Sequence, residues 1–216
     1  MNYETEWSRK SVEKMNETSH AVKGPGRPRD EEVRKRILDS AAQLLEEGCF
    51  EDITVDAIAE QSGAGKATIY RWWPNKAAVL IEAFRERIAR ELPFPDTGDF
   101  RRDVRQQLQI FTEIIYWGRS GKVFRAFIAA AQADPEVARA FREIWIRPRR
   151  AEARKLFERH IAEGIADAGL DPDLAVEMVF APLYYRLLTG WGEITPEYLD
   201  RLVDTALRGY LARQDN

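Results

Sequence analysis

Between Thr54 and Lys76 the chain reads T-V-D-A-I-A-E-Q-S-G-A-G-K-A-T-I-Y-R-W-W-P-N-K. Lys66, Thr68, Tyr70 and Arg71 crowd together hydrogen-bond donors whose reach suits phosphates and base edges. Gly65 stands where a helix would begin, so free backbone N–H groups can face a phosphate there. Residues 62–81 hold three cations, Lys66, Arg71 and Lys76, and no Asp or Glu. A second basic stretch, residues 23–36, carries six cations (Lys23, Arg27, Arg29, Arg34, Lys35, Arg36) against three acids (Asp30, Glu31, Glu32). A solvated helix face explains Lys66 or Arg71 taken singly. It leaves the spacing of the whole segment unexplained.

Holding these donors in place requires local helical structure. Thr54 can cap a short helix whose inner face is Ala57, Ile58 and Gln61, and Gly63-Ala64-Gly65 breaks it. Lys66 to Trp73 fits a second short helix ending at Pro74, with Ile69 and Trp73 turned inward. Two short helices joined by a glycine-containing turn are a helix-turn-helix. Asn75 opens a further helix with Ala77, Leu80, Ile81, Phe84, Ile88 and Leu92 on one stripe. A preceding helix runs from Asp30 to Gly48, with Val33, Ile37, Ala41, Leu44 and Leu45 at helical spacing. Residues 30–90 therefore read as a helix-turn-helix DNA-binding domain with its motif at 54–73, a three-helix unit followed by the helix that Asn75 opens.

The rest of the chain sets bounds. At 216 residues it suits one large domain or two small ones. The net charge of −3 and pI near 5.6 average over the two basic patches and an acidic remainder. A lone cysteine, Cys49, excludes an internal disulfide framework and a cysteine-rich zinc site. His20 falls in a polar tail, leaving His160 as the one histidine that could join a catalytic or metal cluster. Asp96, Asp99 and Asp103 sit near a linker and read as caps and solubilising charge. No catalytic residue, metal or cofactor is expected. The longest apolar run, Ala126 to Ala131, is too short to span a bilayer, so a cytoplasmic location without membrane association is expected. Residues 1–22 read as a disordered tail. Residues 23–29 read as a basic arm in which Gly and Pro block a helix. Residues 91–99 read as a linker.

Beyond that linker, residues 100–216 resume the helical period. Phe100, Val104, Leu108, Phe111, Ile115 and Trp117 form one stripe; Val123, Phe127, Ala130 and Ala131 form another. Asp134-Pro135, Asp171-Pro172 and Thr195-Pro196 each pair a cap with a first-turn proline. Pro148 and Pro182 should kink their helices. The chain reads as all-α, with about nine helices.

Gly65 to Lys76 resembles the recognition helix and following turn of TetR-type transcriptional regulators, and Thr54 to Glu60 matches their preceding helix. The resemblance covers Arg29 to about Arg90 and extends more weakly through Pro182 to Leu188, which is similar to the dimerising region of one branch. It implies an N-terminal helix-turn-helix domain and a C-terminal helical ligand-binding and dimerisation domain. It also implies a homodimeric repressor that a small molecule releases from operator DNA. Gly65 stands where Ser is common and Ala67 where Gly is common. Both are small, and losing a serine cap to glycine costs only a few tenths of a kcal/mol.

Residue by residue, the resemblance has Thr54 touch a phosphate and Lys66, Ala67 and Thr68 enter the major groove. Tyr70 would contact backbone, Arg71 a base edge or phosphate, Trp72 a sugar or thymine methyl, and Lys76 a phosphate. Arg27 and Arg29 belong to an arm that either lies extended in a narrow minor groove or serves as an ordinary cationic linker. The large C-terminal side chains are mostly core, and Trp117, Phe127, Trp145, Met178 and Tyr185 are the candidates to line a cavity for an apolar or amphipathic effector. Arg125 and Arg186 read as surface or interface arginines, with a polar contact in that cavity as the alternative. The last two long helices, Pro172 to Gly190 and Pro196 to Tyr210, carry more apolar residues than one subunit face needs, and the surplus is expected at a homodimer interface. The rival reading is a helical small-molecule or lipid-binding protein with no DNA role. It leaves the Thr54–Lys76 spacing without a purpose.

Overall fold

The computed structural model describes residues 27–89, 92–118 and 120–208. The expected tail at 1–22, the first half of the basic arm, and Tyr210 lie outside the described residues, as do the side chains of Arg27 and Arg29. Among the described residues there are nine continuous helices and no strand element.

The first helix, α1 (Arg27–Glu47), begins within the expected arm rather than at Asp30. Pro28 falls in its first turn, where a missing N–H costs nothing and the fixed φ suits the helix. Residues 27–29 are thus helical and not extended. α1 buries Ile37, Leu38, Ala41, Ala42 and Leu45 and ends at Gly48, whose N–H reaches the Leu44 carbonyl at 2.9 Å.

α2 (Val55–Ser62) and α3 (Lys66–Trp72) follow, then α4 (Lys76–Ala89). The Asn75 side chain accepts from the Ala78 N–H at 2.9 Å, which caps α4. α4 buries Val79, Leu80, Ile81, Ala83 and Phe84 in succession. A helix apolar nearly all round is an interior helix, and α4 is packed into the bundle that follows. Phe84 meets Phe127 at 5.4 Å, Trp145 at 5.5 Å and Phe124 at 6.1 Å between ring centres. The linker after α4 therefore separates two stretches of chain but not two cores.

α5 (Phe100–Phe111) is capped by Asp99, which accepts from the Arg102 N–H at 2.9 Å. It runs on into a π-helical turn, Thr112–Trp117, and stops at Gly118. A Cβ on Gly118 would lie 2.4 Å from the Ile114 carbonyl oxygen, so only glycine fits there. α6 (Ser120–Ala133) places Phe124 and Phe127 in the centre of the core. α7 starts at Asp134-Pro135 and runs through three consecutive segments: Pro135–Ala140, a π-helical segment Phe141–Ile146, and Arg147–Ala162. Pro148 does not break it. The widened π geometry just upstream makes room for a ring that would otherwise strike the carbonyl four residues back. α8 (Pro172–Thr189) is capped by Asp171, contains Pro182 without interruption, and ends at Gly190. α9 (Pro196–Arg208) lies along α5, fastened by Arg101–Asp204 and Arg105–Asp200 ion pairs, each at 2.7 Å.

Two polar groups are interior, and for Asp103 this departs from the expectation of a cap or solubilising charge. Asp103 is fully buried, accepting from the Thr97 N–H at 2.9 Å and from Arg159 Nη2 at 2.9 Å. It fastens the linker to α7 rather than solubilising it. His160 is fully buried too, stacked on Phe100 at 4.6 Å, with Nδ1 donating to the Leu156 carbonyl at 2.9 Å. It is a core histidine.

Candidate nucleic-acid interface and interior cavity

The helix-turn-helix is built from local signals. Thr54 Oγ1 accepts from the Ala57 N–H at 3.1 Å and caps α2, leaving its own O–H free to donate outward. Gly63 ends α2 with φ +65°, a conformation that favours glycine. Gly65 starts α3 with no side-chain cap, and its carbonyl accepts from the N–H groups of Thr68 at 2.9 Å and Ile69 at 3.2 Å.

α3 is two-sided. Ile69 and, just past its end, Trp73 are buried at 1% and 2% exposure. Trp73 Nε1 also donates to Glu82 on α4, tying the end of α3 to the next helix. Lys66, Ala67, Tyr70, Arg71 and Trp72 are exposed and Thr68 half-buried. Tyr70 keeps 52% of its surface in solvent, an unusual outlay for an aromatic ring on a short helix. The Arg71 guanidinium sits 5.8 Å from the Trp72 ring centre. Thr54, Lys66, Ala67, Thr68, Tyr70, Arg71 and Trp72 thus lie on two adjoining short helices.

Two features depart from the sequence expectation. Lys66 pairs with Asp56 on α2, both side chains being more than half exposed. Asp56 went unremarked in the sequence, although its place in the first turn of α2, beside Thr54, brings it within reach. Lys76 is engaged elsewhere: Nζ donates to the carbonyls of Phe50 at 3.0 Å and Glu51 at 2.9 Å and lies 4.9 Å from the Phe50 ring centre. Its ammonium closes the turn after α1 instead of pointing outward as a free phosphate ligand.

A cavity of about 350 Å³ opens between α5, α7, α8 and the linker. Phe111, Trp145, Ile146, Ala153, Val176, Phe180, Ala181 and Tyr184 line it, together with Phe94, Arg149, Arg150 and Glu177. Trp145 is the one sequence candidate found there. Phe127 is fully buried in the core, and Trp117, Met178 and Tyr185 face solvent. Trp117 ends the π-helical turn of α5, and Met178 and Tyr185 lie seven residues apart on the outer side of α8. Arg125 and Arg186 do not line the cavity. Arg186 packs over the Tyr198 ring at 3.6 Å and donates to the Glu193 carbonyl.

Burial shapes the ionisation of the cavity's polar groups. It pushes the Tyr184 phenol up to about 12, opposed by a hydrogen bond from Trp145. It pushes the Arg149 guanidinium down to about 10, opposed by Tyr184 and Glu152. Neither of these cavity residues was singled out in the sequence.

On α8, Leu174, Met178, Tyr185 and Leu188 are large and exposed, and Ala181 lies exposed between them. They recur at intervals of 4, 3, 4 and 3 residues, the period of a helix–helix seam. α9 is different. Leu199, Val203 and Leu207 are buried within the subunit, and Glu197, Arg201, Thr205 and Arg208 face out. The apolar surplus expected on both last helices is on α8. No described helix is long and apolar enough to cross a membrane.

Comparison with known proteins fits this architecture. Residues 37–83 match the pattern described as "Bacterial regulatory proteins, tetR family", and residues 94–206 match "Tetracyclin repressor-like, C-terminal domain". The HTH-type transcriptional regulator YdeS of Bacillus subtilis (strain 168) is 38% identical over 187 residues, covering 87% of this chain and 94% of that protein. The HTH-type transcriptional regulator AqdR of Rhodococcus erythropolis is 30% identical over 169 residues, covering 77% of this chain and 79% of its own. Among solved structures, the TetR family transcription regulator SCO0332 superposes with a TM-score of 0.76 at 31% identity, over 82% of this chain and 98% of its own.

Proposed function

The chain belongs to the TetR family of bacterial transcriptional regulators, and from that premise we propose that it is a homodimeric, operator-binding repressor released from DNA by a small apolar or amphipathic molecule. The observation that carries the DNA-binding assignment is the one-sidedness of α3. Its apolar residues Ile69 and Trp73 anchor it, while its donors and aromatic rings stay in solvent at the end of a glycine turn. In this reading Lys66, Ala67 and Thr68 enter the major groove, and Tyr70, Arg71, Trp72 and Thr54 hold the flanking backbone. Lys66 must leave Asp56 to do so. Lys76 has a supporting role, fixing the turn after α1.

Dimerisation uses the exposed α8 stripe, with α9 braced against α5 behind it. Two recognition helices then face half-sites about 34–36 Å apart or a multiple of that. The effector enters the cavity lined by Trp145. Trp145 packs on Phe84 of α4, and Trp73 at the end of α3 is hydrogen-bonded to Glu82 of α4. A ligand that shifts Trp145 therefore acts on the helix that carries the reading head. The shift is one of populations: the ligand must prefer the form that binds operator poorly.

Selection of bound sequences from a random DNA pool tests the assignment. An enriched palindrome with half-sites one or two helical turns apart is expected. Recovery of unenriched DNA would remove the sequence-specific reading. Light scattering of Ala181→Glu against the unaltered chain tests the interface: a charge in the middle of the stripe should yield monomers, and an unchanged dimer would move the interface elsewhere.

A further inference from the structure

We infer that the cavity is selective for organic acids: it takes an apolar, ring-bearing molecule whose carboxylate pairs with Arg149. This rests on the reading of the cavity as the effector site and goes beyond it by fixing the ligand's charge.

The cavity wall carries two guanidinium groups, and they are not equivalent. Arg150 is neutralised by Glu177 at 2.5 Å and by Asp173 at 3.3 Å. Arg149 pairs with no carboxylate among the described residues. Glu152, which acts on it through space, is held by Lys155 at 2.9 Å. The hydrogen-bond partners of Arg149 among the described residues are neutral. Nη1 donates to the Leu92 carbonyl at 2.8 Å, and Phe94 lies under the guanidinium at 4.3 Å. With the Gln107 amide turned so that its nitrogen donates to the Pro93 carbonyl at 2.7 Å, its oxygen accepts from Nη2 at 2.9 Å.

A guanidinium has five N–H donors, and two of these are engaged. A half-buried cation whose hydrogen-bond acceptors among the described residues are all neutral has shed water with only Tyr184 and Glu152 to offset the loss through space, and burial lowers its pKa to about 10 accordingly. An incoming carboxylate supplies that charge and fits the fork of the guanidinium. Apart from Arg150 and Glu177, which pair with each other, the remainder of the lining is apolar and largely aromatic, so the acid must sit on an apolar body, and about 350 Å³ admits one at the small end of drug-like ligands. Arg149 also grips the Leu92 carbonyl in the segment that follows α4. The ligand's charge therefore meets the same side chain that tethers this segment.

The test compares matched pairs that differ only in charge: naphthalene-2-carboxylate, biphenyl-4-carboxylate and decanoate, each against its primary amide. Binding to the full chain is measured by calorimetry. Losing a charge-assisted hydrogen bond costs about 10- to 100-fold in affinity, so the ring-bearing acids should exceed their amides by that factor. Arg149→Lys should keep part of the preference, and Arg149→Met should abolish it while leaving amide binding intact. Equal binding of acid and amide by the unaltered chain overturns the inference and leaves the cavity reading standing. A preference that survives in Arg149→Met overturns it as well. Binding of none of the six probes overturns the cavity reading and this inference with it. The comparison on the unaltered chain decides the matter even if a variant fails to fold.

Discussion

The reading head and the cavity wall use similar residue types to opposite ends. In α3, Tyr70, Arg71 and Trp72 are exposed. Around the cavity, Trp145 is buried and Tyr184 and Arg149 are half-buried, each bonded to or packed on neighbours from other parts of the chain. Arg71 sits over a ring in water, Arg149 over a ring in the protein. In the proposed function, cation, ring and hydrogen-bond donor make a recognition surface in one place and a cavity wall in the other. What separates them is how much of each side chain the fold has already consumed.

That contrast can be broken from the cavity side first. Trp145→Ala removes a nearly fully buried indole that contacts Phe84 and Phe124, and should cost about 3–5 kcal/mol in urea unfolding. A loss below about 1 kcal/mol would mean the wall is as dispensable as the reading head. Next comes Lys66→Ala with Arg71→Ala. The pair should weaken binding to the selected operator roughly 100-fold or more in gel shift while the thermal melt stays put. A melt that falls with the binding would erase the distinction. Lys76→Ala sharpens the boundary between the two classes. It cuts the ties to the Phe50 and Glu51 carbonyls, so stability should drop by about 1–2 kcal/mol with the salt slope of DNA binding unchanged. A slope reduced by about one unit would return Lys76 to the DNA. The smallest effect is Thr54→Ala, about 1 kcal/mol from the lost cap of α2, seen by denaturant titration.

The reading head was legible in the sequence because its determinants are neighbours in the chain. Thr54, Gly63, Gly65 and Asn75 each act on residues two to four positions away, and the structure shows the Thr54 and Asn75 caps and the inward Ile69 and Trp73 as expected. The cavity was not legible, for three physical reasons. α8 is apolar around most of its circumference, so periodicity gave no direction, and Met178 and Tyr185 were assigned inward although they face out. Nothing local in Arg147-Pro148-Arg149-Arg150 distinguishes one arginine from another; the packing of α7 against α5 and the linker sets Arg149 apart. Pro148 is a helix breaker by local rule, and the π-helical segment before it, Phe141–Ile146, is a tertiary accommodation that no local rule anticipates. The contacts of Lys76 and Asp103 were hidden for the same reason, their partners lying 26 and 56 residues away for the Phe50 carbonyl and Arg159 respectively.

Ala181 has a double membership. It is the middle residue of the exposed α8 stripe, and it is also part of the cavity lining. If α8 forms the seam, then whatever fills the cavity abuts the wall that the second subunit presses on, and the two equilibria share a free energy. Linkage then works in both directions. A ligand that loosens the seam binds more weakly as protein concentration rises, and one that tightens it binds more strongly. The concentration of the regulator itself becomes a variable in its response, set by one small side chain.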